Sequence, residues 1–221
     1  MTQKVIYTIG HSIHTAERFI ELLKLNEIRA VCDVRSSPYS SYNPQFNRET
    51  IQSELKKQRM AYAYLGKELG PRSDDPGCYE NGRVQYGLLA ETDLFHEGIR
   101  RVKGGVKSYR IALMCSEKDP VMCHRTILVC RRLASDGMDI RHILDDGGIE
   151  EHEHAMARLR RLLKLPEADL FTSSEQMMDR AYDVQGKKIA HVKEEKAGTE
   201  EGGEHYEASE TVYHRVHQKD R

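Results

Sequence analysis

No apolar run in this chain approaches the length of a membrane span, so no bilayer-crossing helix is expected. Charge of one sign is also missing. The 34 basic and 35 acidic residues leave a formal net charge of -1. That balance removes the global basic field on which tight non-specific nucleic-acid binding depends, while leaving room for local basic patches. The five cysteines, at 32, 78, 115, 123 and 130, are an odd number without regular spacing, which argues against a secreted disulfide framework. Reduced thiols and a cytoplasmic location are therefore expected. Met1-Thr2-Gln3-Lys4 runs straight into a strand pattern, consistent with this reading.

Other absences narrow the chemistry. There is no G-x-G-x-x-G turn and no G-x-x-x-x-G-K-[ST] loop. A phosphatase-type or rhodanese-type loop has five residues between its cysteine and its arginine. Counted from Cys115 that arginine falls on Val121, so the loop is not present. A zinc knuckle separates its cysteines by two to four residues, whereas Cys115 and Cys123 have seven between them. No internal repeat is found.

What the chain does contain is alternation of short β-branched runs with amphipathic stretches. Strands are expected at Val5 to Ile9, Ile28 to Val34, Ala61 to Leu65, Tyr109 to Met114 and Ile140 to Leu144. Helices are expected after Thr15, over about Glu49 to Gln58, Leu88 to Val102 and Glu150 to Leu163, and after Asp119-Pro120, a cap followed by a first-turn proline. Gly66 to Gly87, with Pro71 and Pro76, reads as a long irregular excursion. Such alternation implies βαβ units. The expectation is a three-layer α/β/α domain over residues 1–165, with about five mainly parallel strands in an open Rossmann-like or flavodoxin-like sheet. Residues 166–221 are expected to form a polar extension, partly helical or flexible, with a flexible end from Gly198 to Arg221.

Three strand-end turns carry candidate chemistry, because open α/β sheets bind ligands beyond the carboxyl ends of their strands. At the first, Gly10 permits close backbone approach, His11 offers an imidazole, and Ser12 with the next helix could hold an anion. At the second, alternation puts Asp33 and Arg35 on one side. They either pair with each other, or Arg35 grips an anion that Asp33 helps orient, with Ser40 nearby. The third turn gathers Cys115, Glu117, Cys123, His124 and Arg125. Helix-end potential and the neighbouring cations would favour a thiolate there. The alternative is that Cys123 begins a core stripe with Ile127, Cys130 and Ala134. Cys32 and Cys130, within apolar runs, read as small buried hydrophobes. Glu151-His152-Glu153-His154 places its histidines on opposite helix faces and reads as a solvated surface. His205, His214 and His217 are given no role.

Together these motifs resemble the bacterial and archaeal family catalogued as domain of unknown function 488. The resemblance rests on Thr8-Ile9-Gly10-His11-Ser12, Asp33-Val34-Arg35 with Pro38 and Ser40, Phe46, Tyr64-Leu65-Gly66, Leu69-Gly70, Met114-Cys115-Ser116-Glu117, Cys123-His124-Arg125 and His142-Ile143, over roughly residues 5–145. It implies a cytoplasmic α/β protein with its motif residues at one sheet edge and no settled activity, although members are sometimes labelled repair-related.

The leading functional expectation is an enzyme acting on a small anionic or nucleotide-like ligand. Cys115 would be nucleophile or redox thiol, and Glu117 or His11 the proton-transfer group. Arg35 and Arg125 would bind the anion, with Gly10, Ser12, Asp33, Ser40, Cys123 and His124 around it and the Gly66 to Gly87 loop, with Arg72 and Tyr79, closing over. No cofactor, metal or oligomeric state is assigned. The alternatives are a non-catalytic binder of nucleotides or nucleic-acid ends, and a metal protein using Cys115, Cys123 and His124 with a distant histidine.

Overall fold

The computed structural model of the chain describes residues 5–193. In order, the elements are β1 (Val5–Gly10), α1 (Ala16–Leu25), β2 (Ala30–Asp33), α2 (Arg48–Lys57), β3 (Ala61–Tyr64), α3 (Gly66–Leu69), β4 (Tyr79–Glu80) and β5 (Arg83–Val84). They continue with α4 (Tyr86–Ala90), α5 (Asp93–Gly105), β6 (Ile111–Cys115), α6 (Arg131–Ser135), β7 (Asp139–Ile143), β8 (Ile149–Glu151), α7 (His152–Leu162) and α8 (Ser174–Ile189). The main sheet runs β3-β2-β6-β1-β7-β8. Its first five strands are parallel and β8 is antiparallel to β7. This is the expected three-layer, Rossmann-like α/β architecture with one further strand at its edge.

Strand alternation sorts the core into two layers. On β6, Ile111, Leu113 and Cys115 face Phe95, Ile99, Val102 and Leu133, from α5 and α6. Ala112 and Met114 face Phe19, Leu22, Ile51 and Leu55, from α1 and α2. Each such buried Leu or Phe contributes about 1.5–3 kcal/mol relative to leaving it exposed. Thr15 caps α1 by accepting from the Arg18 amide, as its position predicts.

The insertion of β6 between β1 and β2 positions the site. It sets Cys115 beside Gly10 and Met114 beside Asp33, so all three expected turns emerge along one sheet edge.

Four local expectations change. The helix expected over Leu88 to Val102 is two helices, because the Thr92 hydroxyl accepts from the Phe95 amide and starts α5 afresh. Asp119-Pro120 opens only a 3-10 turn, Pro120–Met122, with Asp119 capping Val121. Cys123 is then extended, and helical backbone resumes in the π-helical Arg125–Cys130 before α6. Ile149–Glu151 pairs with β7 as a strand, so α7 begins at His152. The Gly66 to Gly87 excursion holds α3 and the β4–β5 hairpin, in which Tyr79 bonds back to Ser73.

Beyond residue 166 the chain contributes to the core. A capping box of Ser173 and Gln176 opens α8, which buries Ala181 and Tyr182 against Val121, Ile127, Ala155, Met156 and Leu159. The expected flexible end at 198–221, including His205, His214 and His217, lies outside the described residues. Among the described residues no helix is long and apolar enough to cross a membrane.

Candidate metal centre

Cys115 ends β6, Glu117 follows in the loop, and the 3-10 turn brings the chain back so that Cys123 and His124 face Cys115. One ligand-type atom from each of these four side chains lies within 4.8 Å of the other three. Both thiols donate to the same carboxylate oxygen, Cys115 at 2.9 Å and Cys123 at 3.0 Å from Glu117 Oε2. His124 Nδ1 lies 3.6 Å from Cys115 Sγ and 3.9 Å from Cys123 Sγ. His124 Nε2 donates to the Val34 carbonyl at 3.0 Å, which leaves Nδ1 facing the thiols. Cys115, Cys123 and His124 are buried, and Glu117 is partly exposed.

The surrounding motif residues hold the loop between these groups. The His11 and Ser12 amides donate to the Cys115 and Ser116 carbonyls, both at 2.9 Å. Arg125, fully buried, donates to the Glu117 carbonyl at 2.7 Å and the Lys118 carbonyl at 3.2 Å. A Cβ on Gly10 would overlap the Glu117 carbonyl, so only glycine admits the loop this close to β1. Ser12 sits in the left-handed region at φ 47°, which turns its amide toward Ser116.

Residues 15–131 match the family described as Domain of unknown function DUF488. The chain belongs to that family. No match was found among curated proteins or among solved structures. The DUF488 match covers all four clustered side chains and stops short of β1, β7 and α8, which complete the surroundings of the site.

In this DUF488 domain the remaining sequence candidates form a second polar cluster on the α1–α2 side. Arg35 pairs with Asp33 through two contacts, Nε at 2.9 Å and Nη2 at 2.6 Å. Its other donors reach the Phe46 carbonyl at 2.9 Å and His11 Nε2 at 3.1 Å. Tyr62 donates to Asp33 at 2.8 Å, and His11 stacks on Phe46. Ser40 caps a turn, accepting from the Tyr42 and Asn43 amides. Of the two sequence-level alternatives for Asp33 and Arg35, their mutual pairing is the arrangement present.

Electrostatics favour neutral thiols while the four groups are alone. Burial raises the Cys115 and Cys123 thiols, and Glu117 beside them adds to it. Burial also works against the Glu117 carboxylate, but His124 and the two thiol hydrogen bonds hold it below its ordinary range. A resting carboxylate between two protonated thiols is a poor setting for a free thiolate nucleophile. It suits a group that displaces both protons at once.

Sequence reasoning missed a buried chain leading away from this loop. Thr8 Oγ1 meets His142 Nδ1 at 2.8 Å, His142 Nε2 meets His152 Nδ1 at 3.0 Å, and His152 Nε2 meets Tyr182 OH at 2.8 Å. His152, expected on a solvated face, is turned inward because α7 starts one residue after β8. Burial lowers His152 from 6.5 to about 4, and burial followed by the charges of His152, Arg125 and Arg158 places His142 well below 6.5. Both imidazoles are therefore neutral when folded and protonate first when unfolded. Their contribution is complete above pH 6.5 and declines as the pH falls toward 4, because the unfolded chain then binds more protons. Urea midpoints measured between pH 7 and 5 should fall by the equivalent of about 2 kcal/mol from His152 alone. His152→Gln should flatten that slope, and an unchanged slope would contradict the assignment.

Proposed function

We propose that this DUF488 domain is a metal-binding protein whose Cys115, Glu117, Cys123 and His124 hold one thiophilic divalent cation of the zinc class. The observation that carries the reading is the convergence of four ligand atoms within 4.8 Å, with the far nitrogen of the histidine held by the Val34 carbonyl. Metal-bound histidines characteristically donate their other N–H to such an acceptor, which fixes tautomer and ring orientation.

Distances and charge agree with this occupant. Zinc bonds of about 2.3 Å to sulfur and about 2.0–2.1 Å to nitrogen put those ligands about 3.6 Å apart. The Cys115–His124 and Cys123–His124 separations are 3.6 and 3.9 Å. The thiol–carboxylate contacts are shorter, as hydrogen bonds are, and Glu117 would move outward slightly on coordination. Two thiolates, a carboxylate and a divalent cation sum to one negative charge. The guanidinium of Arg125, which feels Cys123, Cys115 and Glu117, compensates it. Mixed sulfur, nitrogen and oxygen ligation at a tetrahedral site points to zinc in preference to magnesium or calcium.

The thiol-enzyme reading gains less from the same geometry. The thiols are buried and protonated, while the arginines and the His11 and Ser12 amides already donate to protein acceptors. Four protein ligands make a closed set of the kind that stabilises a fold, with partly exposed Glu117 as the ligand most readily exchanged. Elemental analysis of protein purified without a histidine tag from zinc-supplemented cells should find about one zinc per chain. Cobalt substitution should give thiolate-to-cobalt charge transfer. Zinc far below stoichiometry, together with a featureless cobalt titration, would remove the proposal.

A further inference from the structure

The helix α8 lies outside the stretch that matches the family, yet it reaches the segment that carries one of the four ligands. Gln185 is only 2% exposed. Its amide nitrogen donates to the Val121 carbonyl at 2.9 Å and approaches Met122 Sδ at 3.2 Å. Val121 and Met122 immediately precede Cys123. Next to Gln185, Gly186 packs closely on the Tyr86 ring and Ile127. Burial, followed by the charges of Cys123, Cys115 and Glu117, raises the Tyr86 hydroxyl above its ordinary range. A primary amide buried at such a position costs stability unless its hydrogens are bonded, and an apolar side chain of similar size would serve packing alone. The bonded amide instead fixes the direction of the turn that delivers Cys123.

We infer that α8 latches the Val121–Cys123 segment through Gln185, making Gln185 a positioning residue that sets how fast the ion leaves. This rests on the metal reading above. Because Cys123 follows a single 3-10 turn whose backbone bonds, Met122 to Asp119 and Cys123 to Pro120, are both 3.2 Å long, losing the latch lets Cys123 swing away from Cys115 and His124. The ion is then released by stepwise loss of ligands. Partners outside the first coordination shell typically change metal affinity by about 10–100-fold.

The test compares zinc transfer from full-length, zinc-loaded protein to a chromophoric chelator in wild type, Gln185→Leu and Arg131→Gln. Arg131 holds the same helix through Asp179 and Asp183 at 3.0 and 2.6 Å, with no bond to the ligand segment. Release should accelerate about tenfold or more in Gln185→Leu and stay near wild type in Arg131→Gln. Gln185→Leu should also alter the cobalt charge-transfer band. Equal rates in wild type and Gln185→Leu, or equal acceleration in both variants, would overturn the latch.

Alkylation of Cys123 by N-ethylmaleimide in metal-free protein separates the two ideas. If wild type takes up no zinc but Gln185→Leu alone exposes Cys123, the metal reading falls and the latch on Cys123 stands. If wild type binds zinc and the variant changes neither release nor alkylation, the latch falls alone. If wild type takes up no zinc and alkylation is unchanged as well, both fall.

Discussion

Cys123→Ser should lower zinc affinity by about 100-fold or more, since a serine hydroxyl stays protonated where a thiolate binds. Loading wild type at a thousandfold excess over Kd adds about 4 kcal/mol to the folded state. For a chain of this size that corresponds to about 8–16 °C in the thermal midpoint. At the same zinc concentration a 100-fold weaker variant keeps only about 1.4 kcal/mol of that stabilisation, or about 3–6 °C. Cys130→Ala supplies the contrast. Cys130 is fully buried among apolar neighbours, so its truncation should cost about 1 kcal/mol while zinc stoichiometry stays at one. Equal zinc affinity in wild type and Cys123→Ser, measured by competition with a chromophoric chelator, would refute the ligand assignment.

Gly10→Ala is expected to be among the most damaging single-methyl additions at the described glycines. The added carbon would meet the Glu117 carbonyl, and backbone lies on both sides of the clash. No rotamer change relieves it. Gly10 ends a strand paired on both flanks, with β6 on one side and β7 on the other, so neither partner yields without breaking ladder bonds. The cost should be about 3 kcal/mol or more, seen as a fall in the urea midpoint, accompanied by weaker zinc binding because Cys115 and Glu117 move together. Gly104→Ala is the counterpart. Gly104 lies within α5 with open space around its Cβ position, so alanine should stabilise by about 0.5–1 kcal/mol. A Gly10→Ala protein with wild-type stability would mean that the loop does not pack on β1 as described.

The parallel strands were readable because β-branched and aromatic runs such as Val5 to Ile9 and Tyr109 to Met114 end at recognisable punctuation. β8 was not, since three paired residues carry no period and flow directly into a helical pattern. That omission also hid His152, whose inward direction depends on the strand-to-helix junction. The residue types of the metal centre were visible at Cys115, Cys123 and His124. Their convergence was not, because knuckle spacing assumes a tight turn, whereas here a 3-10 turn and extended Cys123 spend seven residues returning to the start. In the proposed site Glu117 takes the place that the sequence reading gave to a distant histidine. Gln185 gave no signal at all. One glutamine among the many polar residues of α8 looks like surface until the burial of its amide is known.

All four ligands come from positions 115 to 124, within a single strand–turn–helix passage. Gathering them closes only short loops, which is entropically cheap even in a chain that has not otherwise folded. If the proposed site takes its ion, that ion would be free to join the nascent polypeptide before β7, α7 and α8 have left the ribosome. The same affinity for immature chain would reduce the net stabilisation measured at equilibrium. Loading in the cell would then be governed by competition for emerging thiols, and the finished helix at the far end would serve retention more than capture.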